Sequence, residues 1–374
     1  MIKIVADKTI PYLQGILEDF AEVTYLSSEE FTPLAVKDAD ALIVRSINKC
    51  TPELLEGSRI KLITTATIGF DHIDTAYCEK HGIQWYNAPG CNAVSVSQYV
   101  LSSLLTIALQ KKEWLKDKTI GIVGVGHVGK EVEKLCSALG MRVLLNDPPR
   151  AEQEGDNAFV SLDQIAQEAD IITLHTPLEK NGKYPTYHLA NDVFFSKLCR
   201  KPWFINTARG SIHDTAALIH AKKNGLISEL ILDCWEKEPE ISLPLLELAT
   251  IATPHIAGFS AEGKANATRA CLEHIGSFFG IPHVRTKDAF PPTLRNSQMD
   301  LEQHPDFQIE EAVFRSFLPL STDKFLRRSP KDFEWIRTTY IHPREYSAYT
   351  IINAKPENED LLQKIGFCVS FNRR

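Results

Sequence analysis

The 374-residue chain is short of several things, and each shortage excludes a class of protein. None of its eight cysteines forms a C-x-x-C pair; they stand apart at 50, 78, 91, 136, 199, 234, 271 and 368. Isolated thiols point away from a disulfide framework or a zinc ribbon and towards a reduced, cytoplasmic protein. There is no apolar run of about 18 residues, so no membrane span is expected. The start, "MIKIVADKTI", has no signal-peptide hydrophobic region. Positive charge is not in excess: Lys and Arg number 41 against 48 Asp and Glu, a net −7. The bases are scattered, which argues against a nucleic-acid partner, while a few local arginines could still hold a small anion. Internal repeats and low-complexity tracts are lacking too.

What is present is an α/β pattern. In residues 1 to about 90 the runs "IKIVAD", "ALIVRS", "KLITTAT" and "IQWYNAP" read as buried parallel strands. "IPYLQGILEDFA" and "TPELLEG" read as helices between them. The apolar stretch 92–110 predicts a largely buried helix. A second series follows: "KTIGIVGVG", "RVLLND", "DIITLHT", "PWFINTAR", "SELILDCW" and "IATPHIAG". Six strands with helices between them suit a doubly wound dinucleotide fold. From about 258 a helix returns, 288–310 reads as a polar, proline-bearing linker, and a small third unit ends the chain.

"GIVGVGHVGK" places Gly124, Gly126 and Gly129 in G-x-G-x-x-G spacing, after an apolar strand and before a helix. The first glycine permits a tight turn, the second lets a pyrophosphate approach the backbone, and the third lets the helix pack on the strand. About twenty residues on, Asp147 ends the next strand. A carboxylate there suits ribose hydroxyls and repels a 2′-phosphate, so NAD is expected rather than NADP, with Arg150 nearby as the one contrary sign.

Three residues follow strands of this second series. Arg209, in "INTARGSIHD", fits either a bidentate clamp for a carboxylate or a surface arginine on a carbonyl. Glu238 sits in the acidic loop "LDCWEKEPE", which gains meaning only if it reaches a histidine and fixes its tautomer. His255, in "ATPHIAGFS", has an extended approach set by Pro254 and small residues beyond it. "GFDHIDT" brings Asp71, His72 and Asp74 together, but no second histidine or cysteine stands at ligand spacing. That reads as a turn with a helix N-cap, and no metal is expected.

Taken in order, "GVGHVG", "NTARG", "DCWEKEP" and "TPHIAG" resemble the D-isomer-specific 2-hydroxyacid dehydrogenases. The resemblance implies two doubly wound (Rossmann/flavodoxin-like) parallel-sheet domains. It implies that Arg209 binds the substrate carboxylate, that Glu238 pairs with His255, and that His255 is the acid/base. It also implies a split lobe for substrate, 1–92 with 258–287, around a dinucleotide domain at 93–257. "TATIGFDHID", "APGCNA", "NDPPR", "GKYPTYHL" and "PHIAGFSAEGKA" are similar to the members that oxidise 4-phospho-D-erythronate to 2-oxo-3-hydroxy-4-phosphobutanoate on the way to pyridoxal 5′-phosphate. Those members carry a small C-terminal α+β dimerisation domain, here 288–374, so a homodimer is implied. By the same resemblance Ser46 and Thr67 touch the substrate, and Asp147, Thr176, Thr207, Ala208, Asp233 and Gly258 touch NAD. Arg45 is a phosphate or carboxylate partner on charge grounds.

One position departs from the pattern. Phe259 stands where a tyrosine is expected, and phenylalanine has no hydroxyl to offer a substrate. Arg344, in "HPREYSAY", is a residue that a partner subunit could contribute instead. Two rivals remain open at this point: a dehydrogenase of another acid such as 3-phosphoglycerate, and a non-catalytic NADH-sensing protein of the same fold.

Overall fold

The computed structural model describes residues 1–155, 158–281 and 284–370, which form two compact units. The first comprises Met1–Asn92 and Ser260–Thr293. Its five strands are β1 (Ile2–Asp7), β2 (Ala21–Leu26), β3 (Ala41–Val44), β4 (Leu62–Thr65) and β5 (Gln84–Tyr86). They form one parallel sheet in the order β2-β1-β3-β4-β5, the flavodoxin-like arrangement. β3 and β4 are buried along their whole length, as their unbroken apolar and threonine runs require.

Two sequence expectations fail in this unit. β2 was not anticipated, because "AEVTYL" alternates exposed and part-buried residues at the sheet edge rather than forming an apolar run. The helix expected over 10–21 is a series of turns. Tyr12 and Gly15 take positive φ (60° and 83°), which a helix cannot contain. The Glu18 carboxylate accepts the Gly15 and Leu17 N–H groups, both at 3.0 Å, in place of helical carbonyls.

The second unit comprises Ala93–Phe259 and Leu294–Arg374. Its six strands are β6 (Thr119–Val123), β7 (Arg142–Asn146), β8 (Ile171–Leu174), β9 (Trp203–Asn206), β10 (Glu229–Leu232) and β11 (Ile251–Ala252). All are parallel, in the order β11-β10-β9-β8-β6-β7. A single parallel bridge, Leu145 to Phe159, adds one more position beyond β7. Counting that bridge as a vestigial strand gives the order 3-2-1-4-5-6-7, the 3-2-1-4-5-6 order of dinucleotide folds with β11 added at the edge, and its reversal point lies between β6 and β8. The expected helix over 92–110 is present as Ala93–Lys111, with fifteen of its residues buried. By composition it could cross a membrane, but 83% of its 18-residue apolar window lies inside the protein.

A third parallel sheet, β12 (Gln298–Asp300), β13 (Thr350–Ile352) and β14 (Cys368–Val369), closes the chain. β12 lies inside the stretch read as linker, which is corrected here: Met299 and Leu301 are buried, and their alternation with polar neighbours is a short strand. Met299, Ile351 and Phe367 share one hydrophobic core with Val96, Tyr99 and Ile120 of the dinucleotide region. The helix Leu320–Arg328 is pinned to the sheet edge at β11. Asp323 accepts the Ala252 N–H at 2.7 Å, and Arg327 donates to the carbonyls of Leu246 and Ala249, both at 2.8 Å. An edge strand that would otherwise present open backbone is thereby covered.

Candidate active site

The glycine loop leaves β6 at the point where the strand order reverses. Gly124 has φ +89°, and a Cβ there would meet the Thr176 nitrogen at 2.7 Å. A Cβ on Gly129 would collide with the Gly124 carbonyl, whereas one on Gly126 would enter open space. Gly126 is the N-cap of the helix His127–Ala138, so that open space lies before helical N–H groups. Thr176 Oγ1 is buried without a hydrogen-bond partner. An open cradle and an orphaned hydroxyl are what a bound dinucleotide would fill.

Asp147 follows β7 and is doubly fixed. Its Oδ2 accepts the Val125 N–H at 2.8 Å, and its Oδ1 accepts the Arg150 N–H at 3.1 Å, capping the helix Pro148–Glu154. The Arg150 guanidinium is held by Glu154 through two bonds of 2.8 Å and donates to the Val125 carbonyl at 2.7 Å. With its fork engaged this way, Arg150 is not arranged to receive a 2′-phosphate, and the sequence sign for NADP loses its force.

Loops after β9, β10 and β11 bring the catalytic candidates together. Asn206, at the end of β9, donates to the Arg209 carbonyl at 2.8 Å and accepts the Ala208 N–H at 3.0 Å, setting the 207–209 turn. Gly210 packs so closely on Trp235 that no side chain fits there. Arg209 donates from Nη1 to the Ala208 carbonyl at 2.8 Å. Thr207 Oγ1 lies 3.4 Å from His175 Nδ1. Burial pulls the His175 imidazole down to about 3, so it stays neutral.

His255 and Glu238 meet: Nδ1 lies 2.8 Å from Oε2. The other carboxylate oxygen accepts the Trp235 N–H at 2.7 Å. Burial pushes the Glu238 carboxyl up, but the His255 charge and hydrogen bond, the Trp235 N–H and the Arg337 charge outweigh it and hold the group below its ordinary value. An ionised Glu238 requires the proton on Nδ1, which leaves Nε2 as the exchanging nitrogen. His255 has φ +56°, an uncommon conformation for a non-glycine residue that needs support from its surroundings.

Asp233 provides that support. It is buried, and its carboxylate accepts the Ile256 N–H at 2.8 Å, the Ala257 N–H at 2.9 Å and the Thr253 hydroxyl at 2.6 Å, while its carbonyl accepts the His255 N–H at 2.8 Å. Thr253 has one hydroxyl proton and gives it to Asp233, so the Tyr99 hydroxyl, 2.6 Å away, donates to Thr253. Trp235 Nε1 donates to the Thr253 carbonyl at 2.9 Å. Sequence reading named Asp233 only as a cofactor contact and missed Tyr99, Thr253 and Trp235. Nothing in their spacing marks them, since each lies on a different element. Cys234 Sγ approaches the same pair, with ligand-type atoms of Cys234, Glu238 and His255 within 4.8 Å of one another, but Sγ is turned to the Ala208 carbonyl at 3.4 Å.

The remaining sequence candidates lie in the first unit, past the carboxyl ends of β3 and β4. Arg45 donates to the Thr9 hydroxyl, and its N–H meets Asn48 Oδ1 at 2.8 Å. Ser46 follows directly. Thr67 donates to the Gly69 carbonyl at 2.7 Å. In "GFDHIDT", Asp74 caps the helix Thr75–Lys80, and His72, pulled down to about 4 by burial, bonds Thr65 at 3.0 Å, so the capping turn is what forms. All eight cysteines are free thiols.

Comparison with known proteins places the chain in a family. Residues 106–257 match the family model of the D-isomer specific 2-hydroxyacid dehydrogenase NAD binding domain. The chain is 50% identical over 367 residues to the erythronate-4-phosphate dehydrogenase of Porphyromonas gingivalis, covering 98% of this chain and 100% of that one. It is 40% identical over 373 residues to that of Proteus mirabilis, covering 98% and 99%. Among solved structures it is similar to the NAD⁺-bound 3-phosphoglycerate dehydrogenase of Entamoeba histolytica, with TM-score 0.64 and 29% identity over 76% of this chain and 97% of that one. The D-lactate dehydrogenase of Aquifex aeolicus, complexed with NAD and lactic acid, gives TM-score 0.62 and 29% identity over 74% and 95%. With relatives this similar along almost its whole length, the chain belongs to the erythronate-4-phosphate dehydrogenases, within the D-isomer specific 2-hydroxyacid dehydrogenase family.

Proposed function

We propose that the chain oxidises 4-phospho-D-erythronate at C2 to 2-oxo-3-hydroxy-4-phosphobutanoate, with NAD as the hydride acceptor, in a route to pyridoxal 5′-phosphate. The observation that carries this reading is the Glu238–His255 pair at 2.8 Å, set beside the Arg209 turn at the carboxyl edge of the dinucleotide sheet. His255 Nε2 takes the proton of the C2 hydroxyl. Glu238 holds the ring by Nδ1 and stabilises the imidazolium that results. Arg209 grips the C1 carboxylate and polarises the C2 oxygen as the carbonyl forms. NAD, when bound, accepts the hydride from C2. The loop Gly124–Gly129, Asp147, Thr176, Thr207, Ala208, Asp233 and Gly258 would hold it, and Arg45, Ser46 and Thr67 would touch the substrate. Proton and hydride together account for the two hydrogens that the alcohol loses.

The protein acts in the cytoplasm as a homodimer in this reading. A cleft in the C-terminal region is lined by Phe325, Trp335 and Ile341, exposed by 59%, 66% and 88%. So many large apolar side chains in one patch suit a second copy of the chain. The activity is tested by following NADH formation with 4-phospho-D-erythronate beside 3-phosphoglycerate, with and without a 2-oxo acid to reoxidise the cofactor. A strong preference for the erythronate is expected. Preference for 3-phosphoglycerate would move the substrate, and NAD binding without turnover of either acid would leave a sensor.

A further inference from the structure

The C-terminal stretch of the second unit brings a second arginine to the catalytic pair. The guanidinium of Arg337, on the helix Phe333–Thr338, lies 5.7 Å from the centre of the Phe259 ring. His342 meets the same ring edge-on at 5.5 Å, and Tyr340 meets it tilted at 6.5 Å. Three side chains from one short stretch thus meet the ring of Phe259, the residue that stands where a tyrosine was expected. The Arg337 charge reaches the reacting groups. It helps to hold Glu238 ionised, after His255 and the hydrogen bonds already described. Burial and the Asp233 and Glu238 charges push the Cys234 thiol well up, while Arg209 and Arg337 both pull against them.

The partners of Arg337 do not use up its donors well. Its Nη1 lies 3.5 Å from Glu334 Oε1, the limit of a hydrogen bond, and its Nε is buried without a hydrogen-bond partner among the described residues. The side chain is only 19% exposed. A largely buried guanidinium with one long ion pair is costly unless something else satisfies it. Its planar fork suits a phosphate, and the Phe259 face beside it orients that fork without competing for its N–H groups.

We propose that Arg337 is a substrate-binding residue that receives the phosphoryl group, with Phe259, Tyr340 and His342 as the wall that orients it. This rests on the proposed oxidation of a phosphorylated hydroxy acid. Such a substrate carries anions at both ends of a four-carbon chain, and Arg209 can hold only one of them. Arg337 is a donor for the other, in addition to Arg45, which was expected to contribute on charge grounds.

The test compares the wild type with Arg337→Gln and Arg337→Lys, using 4-phospho-D-erythronate and unphosphorylated D-erythronate. Loss of a charge-assisted pair predicts a rise in KM for the phosphorylated acid of roughly 10–100-fold in Arg337→Gln, with NADH affinity little changed and any change in kcat, through the Arg337 charge on Glu238, shared by both acids. The KM for D-erythronate should stay as in the wild type. Arg337→Lys keeps the charge and should recover part of the loss; it also decides the matter if the glutamine variant does not fold. An equal rise in KM for both acids, or no rise for either, would leave Arg337 as a support for Glu238 alone and overturn the proposal. If the wild type oxidises neither acid, the functional reading fails, and calorimetry of the NADH-loaded protein with inorganic phosphate takes over. Phosphate binding weakened at least ~tenfold by Arg337→Gln would uphold the anion site. Equal binding, or no binding to the wild type, would remove it.

Discussion

Glu238 Oε2 stands 2.8 Å from Nδ1 of His255, and Oε1 of the same carboxylate accepts the Trp235 N–H at 2.7 Å. Each oxygen has its own donor, so the carboxylate cannot turn without breaking a bond, and the imidazole is held in one tautomer.

Glu238→Gln should therefore reverse the tautomer while keeping the shape. The amide oxygen would accept from Trp235, and its NH₂ group would face Nδ1 as a donor. The ring proton would then move to Nε2, and the base would be lost. We expect kcat to fall by roughly 10²–10⁴-fold, the usual worth of a positioned acid/base, with NADH affinity unchanged. A loss smaller than about tenfold, measured under saturating substrate, would mean that the pair is structural.

The Asp233 network predicts a graded response. Tyr99→Phe removes one donor from Thr253 Oγ1 and leaves Asp233 with all its bonds. Stability should fall by about 1 kcal/mol, with kcat nearly intact. Asp233→Asn replaces one acceptor oxygen by an NH₂ group that must face a backbone N–H of Ile256 or Ala257. That clash of donors in a buried place should cost about 1–3 kcal/mol and lower kcat as well, because the same bonds hold His255 at positive φ. Urea midpoints and kcat for the two variants decide this; equal losses would show that the loop does not depend on Asp233.

How far the sequence could be read followed from what kind of contact each feature makes. The glycine loop and Asp147 could be read because each lies within a few residues of a strand end, where local spacing carries the meaning, whereas the roles expected of Arg209, Glu238 and His255 came only from the four motifs taken together in order. β2 was not, because Glu22 and Thr24 break its apolar run at the sheet edge. The bridge at Phe159 is too short to leave any periodic signal. Tyr99 reads as one more apolar residue of a buried helix, and its hydroxyl finds Thr253 only through folding, 154 positions away in sequence. Arg337 belongs to a stretch with no motif at all, and only packing brings it to Phe259.

Gly126 and Gly129 separate cofactor space from packing space. Gly129→Ala would place a methyl against the Gly124 carbonyl, so the helix must shift; we expect a loss of about 1–3 kcal/mol and weakened NADH binding together. Gly126→Ala meets nothing within 4 Å, so stability should stay within about 0.5 kcal/mol. Its methyl would occupy the place of the pyrophosphate, and NADH affinity should still drop. Thermal unfolding and NADH titration of both variants check the contrast, which would collapse if Gly126→Ala bound NADH like the wild type.

Two buried histidines of the second unit predict how stability depends on pH. Burial pulls His175 down to about 3 and His213 down to about 4, against an unfolded value of about 6.5. Above pH ~6.5 both states are neutral, and neither residue contributes a slope. Below it the unfolded chain takes up protons that the folded chain refuses, so stability falls as pH drops from about 6.5 towards 4, by up to ~1.4 kcal/mol per pH unit for each histidine. The carboxylates held low, Glu238 and Asp7 among them, act in the same direction but only in more acidic solution, because their unfolded values lie near 4. The window between pH 7.5 and 5.5 therefore isolates the histidines. Urea midpoints should fall across that window in the wild type, and His175→Gln should remove about 1 kcal/mol of the fall. An unchanged slope in the variant would mean that His175 is not held neutral between Thr173 and Thr207.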